Sequence, residues 1–167
     1  MLNRNMKTSD IGIALICRYE GWRAKMYLCP ANKKTIGYGH LVRKNEMDLY
    51  KFKELTKEEG IELLRRDLVR EENHVKRLVK VQLNQNEFDA LVSFTFNLGG
   101  GNLSSSTLLR TLNRGHYNLV CSQLKRWVNA GGRRLNGLVK RRSDECGLWS
   151  SYYTYAMAET IMNFQRR

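Results

Sequence analysis

Three side chains with complementary chemistry fall within sixteen residues: the carboxyl of Glu20, the thiol of Cys29 and the hydroxyl of Thr35. A carboxylic acid that gives up a proton, opposite a second group that activates water or attacks carbon, is the minimum machinery for breaking a glycosidic bond. Glu20 ends an apolar run just before Gly21, which puts it in the last turn of a helix. Helix C-termini favour cations, so a carboxylate there serves structure poorly; a solvated glutamate is the plain alternative. A thiol with an ordinary pKa of about 8.5 is mostly protonated at neutral pH. Cys29 therefore acts as base or nucleophile only as a thiolate, with Arg23 and Lys33 as nearby cations. Two other readings stay open: Glu20 working with a water positioned by Thr35, and Cys29 as a buried structural thiol.

The elements that must position these groups are legible from periodicity and capping. Ser9 or Asp10 caps a first helix whose apolar face is Ile11, Leu15, Ile16 and Tyr19. The pieces Met26–Cys29 and Thr35–His40, on either side of a turn containing Pro30 and Asn32, read as a β-hairpin and as the only β structure. Gly37 and Gly39 in the second piece imply a bulge or a close backbone approach. Thr56-Lys57-Glu58-Glu59 is a capping box opening a long amphipathic helix. Asn84 or Asn86 opens the next helix, which Gly99-Gly100-Gly101 stops. Ser104–Ser106 caps a short helix through Leu112. Val120, Leu124, Trp127 and Val128 mark another, ended by Gly131-Gly132; Gly137–Trp149 is the next, and the tail from Tyr152 adds a last one. The expected class is α+β and predominantly helical, a single domain over 1–167. Within it are a small lobe over about 1–56, a connecting helix over about 57–80 and a helical lobe over about 81–167.

Composition narrows the partners. The chain carries 29 Lys and Arg against 16 Asp and Glu, a formal charge of +13, which fits a polyanion: nucleic acid, anionic lipid or an acidic wall polymer. No zinc-finger spacing, RNA-binding motif or heptad zipper favours nucleic acid. The four cysteines have no CxxC pair, so metal spacing is absent and reduced thiols are expected. The apolar run Ile11–Cys17 is too short for a membrane span and lacks a cleavage site, so neither a transmembrane segment nor a signal peptide is expected.

The string Glu20-Gly21-Trp22-Arg23-Ala24-Lys25-Met26-Tyr27-Leu28-Cys29, followed by Thr35-Ile36-Gly37-Tyr38-Gly39-His40, resembles the signature of the phage-lysozyme (endolysin) family, glycoside hydrolase family 24. Its pattern of Glu, eight residues, Asp or Cys, five residues, Thr falls on Glu20, Cys29 and Thr35 without a gap. Leu55–Glu59, Asn86–Phe94, Ser105–Leu109 and Gly137–Arg142 with Glu145 resemble further family segments over about 130 residues. Cys29 departs from the commoner Asp. The resemblance implies a lysozyme-like fold and a muramidase cutting the β-1,4 bond between N-acetylmuramic acid and N-acetylglucosamine in bacterial peptidoglycan. It implies catalytic Glu20, Cys29 and Thr35, a saccharide groove lined by Leu41 and Phe96, and a His40–Asp67 ion pair. Apart from the resemblance, the pair Arg141-Arg142 inside an otherwise apolar helical segment needs a reason: one of them holds the Glu20 carboxylate, or both only coat a surface. Neither metal nor organic cofactor is implied. The setting implied is phage-induced host lysis by a monomer made in the host cytoplasm, which reaches the wall through a separate pore protein. A catalytically dead wall-binding module is the rival reading, which the Cys29 departure favours and the retained Glu20 and Thr35 oppose.

Overall fold

The computed structural model describes residues 2–29 and 32–150. The helix expected from Tyr152, and Pro30 of the expected turn, lie outside the described residues.

Helix α1 (Asp10–Glu20) starts where the Ser9 hydroxyl accepts from the Gly12 amide and stops at Gly21, whose φ of 70° no β-carbon-bearing residue adopts easily. Its burial is wider than the single face expected: Gly12 through Cys17 are all buried, the mark of a helix enclosed by others. The strands β1 (Arg23–Leu28), β2 (Lys34–Gly37) and β3 (His40–Leu41) form an antiparallel sheet in the order β1-β2-β3. Thr35 pairs with Tyr27 on one side and Leu41 on the other. The expected second hairpin strand is thus two strands. Gly37 and Gly39, at φ 65° and 87°, turn the chain between them.

A short helix α2 (Met47–Tyr50) leads to α3 (Lys57–Leu78), which opens with the Thr56–Glu59 capping box. Along α3, Leu63 joins Ile36, Tyr50 and Leu55 in a small apolar group beneath the sheet. Leu64, Leu68 and Val75 face the main core instead. One helix therefore serves both apolar groups, and its period of 3.6 separates the two faces.

At the centre of the main core lies α4 (Gln85–Leu98), capped by Asn84 and buried without a break from Phe88 to Thr95. Around it pack α1, α3, α5 (Gly100–Ser105) and α8 (Asn136–Trp149), with α6 (Thr107–Asn113) and α7 (Val120–Leu124) beyond. Three expectations need correction. The glycine triplet does not only stop α4: Gly99 ends it and α5 begins at Gly100, where a β-carbon would strike the His74 ring at 2.5 Å. The helix marked by Val120 ends at Leu124 rather than running to Val128. Gly131-Gly132 instead turn a second hairpin, β4 (Asn129–Ala130) with β5 (Arg133–Arg134). Both glycines have positive φ, which a tight hairpin turn requires.

The start of α1 is pinned by acids from two other helices. Glu72 on α3 accepts from the Thr8 amide and hydroxyl, each at 2.8 Å. Asp89 on α4 accepts from the Ser9 amide at 3.0 Å and from the Ser9 hydroxyl. Burial pushes the Asp89 carboxyl up, and the Ser9 and Gln85 hydrogen bonds oppose that shift.

Candidate active site

The far end of α1 meets α8. Arg141 Nη1 donates to Glu20 Oε1 at 2.7 Å. One turn along α8, Asp144 takes a hydrogen bond from the Tyr19 hydroxyl at 2.5 Å and an ion pair from Arg18 at 3.1 Å. Three consecutive side chains of the last α1 turn are thereby tied to one helix. The Glu20 side chain keeps 22% of its surface exposed, whereas that of Arg141 keeps 4%. The carboxylate is thus held from within and reachable from without.

Its second oxygen faces the sheet. A β-carbon on Gly39, in the β2–β3 turn, would lie 3.5 Å from Glu20 Oε2. The close backbone approach expected of this glycine pair is therefore an approach to the carboxylate. Trp22 fixes the chain between α1 and β1. Its ring stacks at a tilt on Tyr38, centroids 4.9 Å apart, and sits where a β-carbon on Gly60 would be 2.2 Å away. Trp22 is thus wedged against α3.

Behind Arg141 lies a buried ionic hub. Glu145, with no exposed surface, accepts from Ser93 at 2.8 Å, Arg141 Nε at 3.4 Å and Arg142 Nη2 at 2.8 Å. Burial pushes the Glu145 carboxyl up, and the two guanidiniums with the Ser93 hydroxyl counter it. Arg142, also fully buried, reaches Asn97 at 3.0 Å and lies over the Phe94 ring. Both arginines of the pair have roles: Arg141 holds Glu20, and Arg142 neutralises Glu145. A buried charge cluster survives only when each member is paired in this way.

The other expected residues, Phe96 excepted, lie on or beside the adjoining sheet. Cys29 follows β1, half-buried, with its amide donating to the Lys33 carbonyl at 2.9 Å and its own carbonyl accepting from Asn32. Thr35 is buried in β2, its hydroxyl donating to the Lys33 carbonyl at 3.1 Å. The Lys33 carbonyl is therefore shared by the two residues. Leu41 is half-exposed on β3, and Phe96 is partly buried near the end of α4, packed against the main core. His40 Nδ1 lies 2.9 Å from Asp67 on α3, as expected, and Nε2 faces Glu46 at 3.4 Å. The Asp67 hydrogen bond raises the His40 pKa against the opposing effect of burial. Asn97 and Asp144 carry no signal in the sequence. Their partners stand up to 126 positions away, beyond any local spacing pattern.

The chain is similar to known proteins over most of its length. Residues 17–145 match the family model for phage lysozyme. The chain is 42% identical to an endolysin of Bacillus phage B103 over 142 residues, covering 84% of this chain and 52% of that protein. It thus spans about half the length of that relative. It is 39% identical to an endolysin of Acyrthosiphon pisum secondary endosymbiont phage 1 over 150 residues, covering 87% of this chain and 99% of that one. Among solved structures, a P22 lysozyme variant superposes with a TM-score of 0.80 at 35% identity, over 87% of this chain and 99% of that chain.

Proposed function

Because this chain belongs to the phage lysozyme family, we propose that it is a peptidoglycan-cleaving glycosidase with Glu20 as its proton donor. The bond cut is the β-1,4 link between N-acetylmuramic acid and N-acetylglucosamine, and the biological use is lysis of the host cell by a phage or prophage endolysin. The observation that carries the assignment is the Glu20 carboxyl: held by Arg141 at 2.7 Å, facing the β2–β3 turn, and still open to solvent.

In the reaction, Glu20 gives its proton to the glycosidic oxygen as the bond to the anomeric carbon breaks. Cys29, as thiolate, supports the opposite face of the sugar by taking a proton from water or by attacking the carbon itself. The Thr35 hydroxyl donates its hydrogen to the Lys33 carbonyl, which leaves its oxygen lone pairs to accept from a water. Leu41 and Phe96 contribute apolar surface to the saccharide groove. The substrate is reached through a membrane pore made by another protein. The chain's relatives include both endolysins and SAR-endolysins.

The test is hydrolysis of purified peptidoglycan with the new reducing ends identified. Wild type should release N-acetylmuramic acid ends. Glu20→Gln should melt normally, because the amide oxygen still accepts from Arg141, yet lose ~10²–10⁴ in rate. A Glu20→Gln enzyme with more than about a tenth of wild-type activity removes the assignment. A wild type that binds nucleic acid and leaves the wall intact removes the function.

A further inference from the structure

Cys121 on α7 and Cys146 on α8 face each other where these helices pack. Cys121 Sγ lies 3.5 Å from the carbonyl oxygen of Cys146, and Cys146 Sγ lies 3.4 Å from the carbonyl oxygen of Cys121. Each sulfur thus reaches over its partner's backbone. These reciprocal contacts, together with the contact between the two thiols, set the side chains side by side, the arrangement from which a disulfide can form. The pair is asymmetric in access. Cys146 is buried, while Cys121 is half-buried, with Ser150 Oγ 3.6 Å from its sulfur. Burial, and then contact with the Cys121 thiol, push the Cys146 thiol up.

We propose that Cys121 and Cys146 form an intramolecular disulfide when the folded protein meets a small-molecule disulfide, such as that of an oxidising compartment. The more accessible Cys121 thiolate attacks one sulfur of the small disulfide, breaking its S–S bond and expelling one small thiolate. Cys146 then loses its proton and attacks the Cys121 sulfur, expelling the second. The two protein thiols are oxidised, the small disulfide is reduced to two thiols, and the protons given up by the cysteines end on those products.

The link would close a loop spanning 25 positions that contains the β4–β5 hairpin and the first three turns of α8. It would fasten α8 at the residue next to Glu145, the hub behind Arg141 and Arg142. Cross-linking such a loop restricts the unfolded chain more than the folded one. None of this depends on which residues are catalytic, so the experiment reads chemistry and melting rather than activity.

The full chain is incubated natively with oxidised glutathione, unfolded in the presence of N-ethylmaleimide, and mapped by mass spectrometry without reduction. The expected product is a cross-linked peptide joining Cys121 and Cys146. The treated protein should melt on the order of 5 °C higher, and dithiothreitol should reverse the rise. Cys121→Ser, an exposed-side change less disruptive than one at Cys146, should abolish both the cross-link and the rise. Glutathione retained on Cys121 beside an alkylated Cys146 overturns the proposal. So does alkylation of both thiols after prolonged oxidation, or a link that leaves the melting temperature unchanged.

Discussion

Arg141 and Glu20, 121 positions apart in the chain, share a 2.7 Å hydrogen bond, and the same guanidinium also reaches Glu145 and the Ser93 carbonyl. Only a planar, multiply donating group makes all three contacts. Lysine keeps the charge but offers one point of attachment.

Arg141→Lys should therefore impair both positioning and stability. Activity on purified peptidoglycan should fall at least about tenfold, and unfolding free energy by about 2–4 kcal/mol, as for a buried ion pair left incomplete. Urea denaturation measures the second. A variant that loses stability but keeps full activity would show that Arg141 does not orient Glu20.

His40 should act on stability with a definite pH dependence. Its folded pKa is raised above the ordinary 6.5, chiefly by the Asp67 hydrogen bond. The contribution is fully present below 6.5 and is lost as pH rises through the raised folded value. His40→Asn should lower the melting temperature more at about pH 6 than at about pH 9, with specific activity near normal. An equal deficit at both pH values would argue against the ion pair. Lost activity at an unchanged melting temperature would place His40 in the reaction.

Cys29 separates two catalytic schemes. If the thiolate works, alkylating Cys29 should abolish activity. Cys29→Ser should be nearly inactive, and Cys29→Asp should be active, since it restores the family's commoner carboxylate. A stable, fully active Cys29→Ser enzyme would leave Glu20 and a Thr35-bound water as the whole machinery.

The positive charge should govern action on intact walls. Lys125, Arg126, Arg133, Arg134 and Lys140 are all exposed around the β4–β5 hairpin. Wall lysis should fall as salt rises to several hundred millimolar, through screening over a Debye length of about 3–10 Å. Arg133→Glu with Arg134→Glu should reduce lysis of whole walls and spare cleavage of short soluble glycans. Lysis indifferent to salt would leave the excess charge without a docking role.

Local sequence exposes those features that local physics decides. Ser9, Thr56 and Asn84 are strong helix starters, and each caps the helix it precedes. Gly21 ends α1 directly after Glu20, so a carboxylate at a helix end is legible from residue types and order alone. The glycine-rich stretches are harder. Gly99–Gly101 and Gly131-Gly132 read alike as stops, yet one passes straight into α5 and the other turns a hairpin. The difference is tertiary: Gly100 lies against the His74 ring, and no window of sequence contains both. The buried hub is half legible. The arginine pair within an apolar helix demands a partner, and Glu145 stands nearby, but Ser93 and Asn97 come from α4 and join only through packing.

The pinning of α1 has a consequence for synthesis. The partners that fix its start, Glu72 and Asp89, follow Thr8 and Ser9 by 64 and 80 positions, and the one that holds Glu20 follows by 121. A chain emerging N-terminus first at about 5–20 residues per second exposes α1 many seconds before translation delivers Arg141. The growing polypeptide thus carries its acid unheld while the ribosome works. Glu20 receives its guanidinium only when α8 is released, so every nascent chain that stops short of Arg141 leaves that carboxyl without its hydrogen bond.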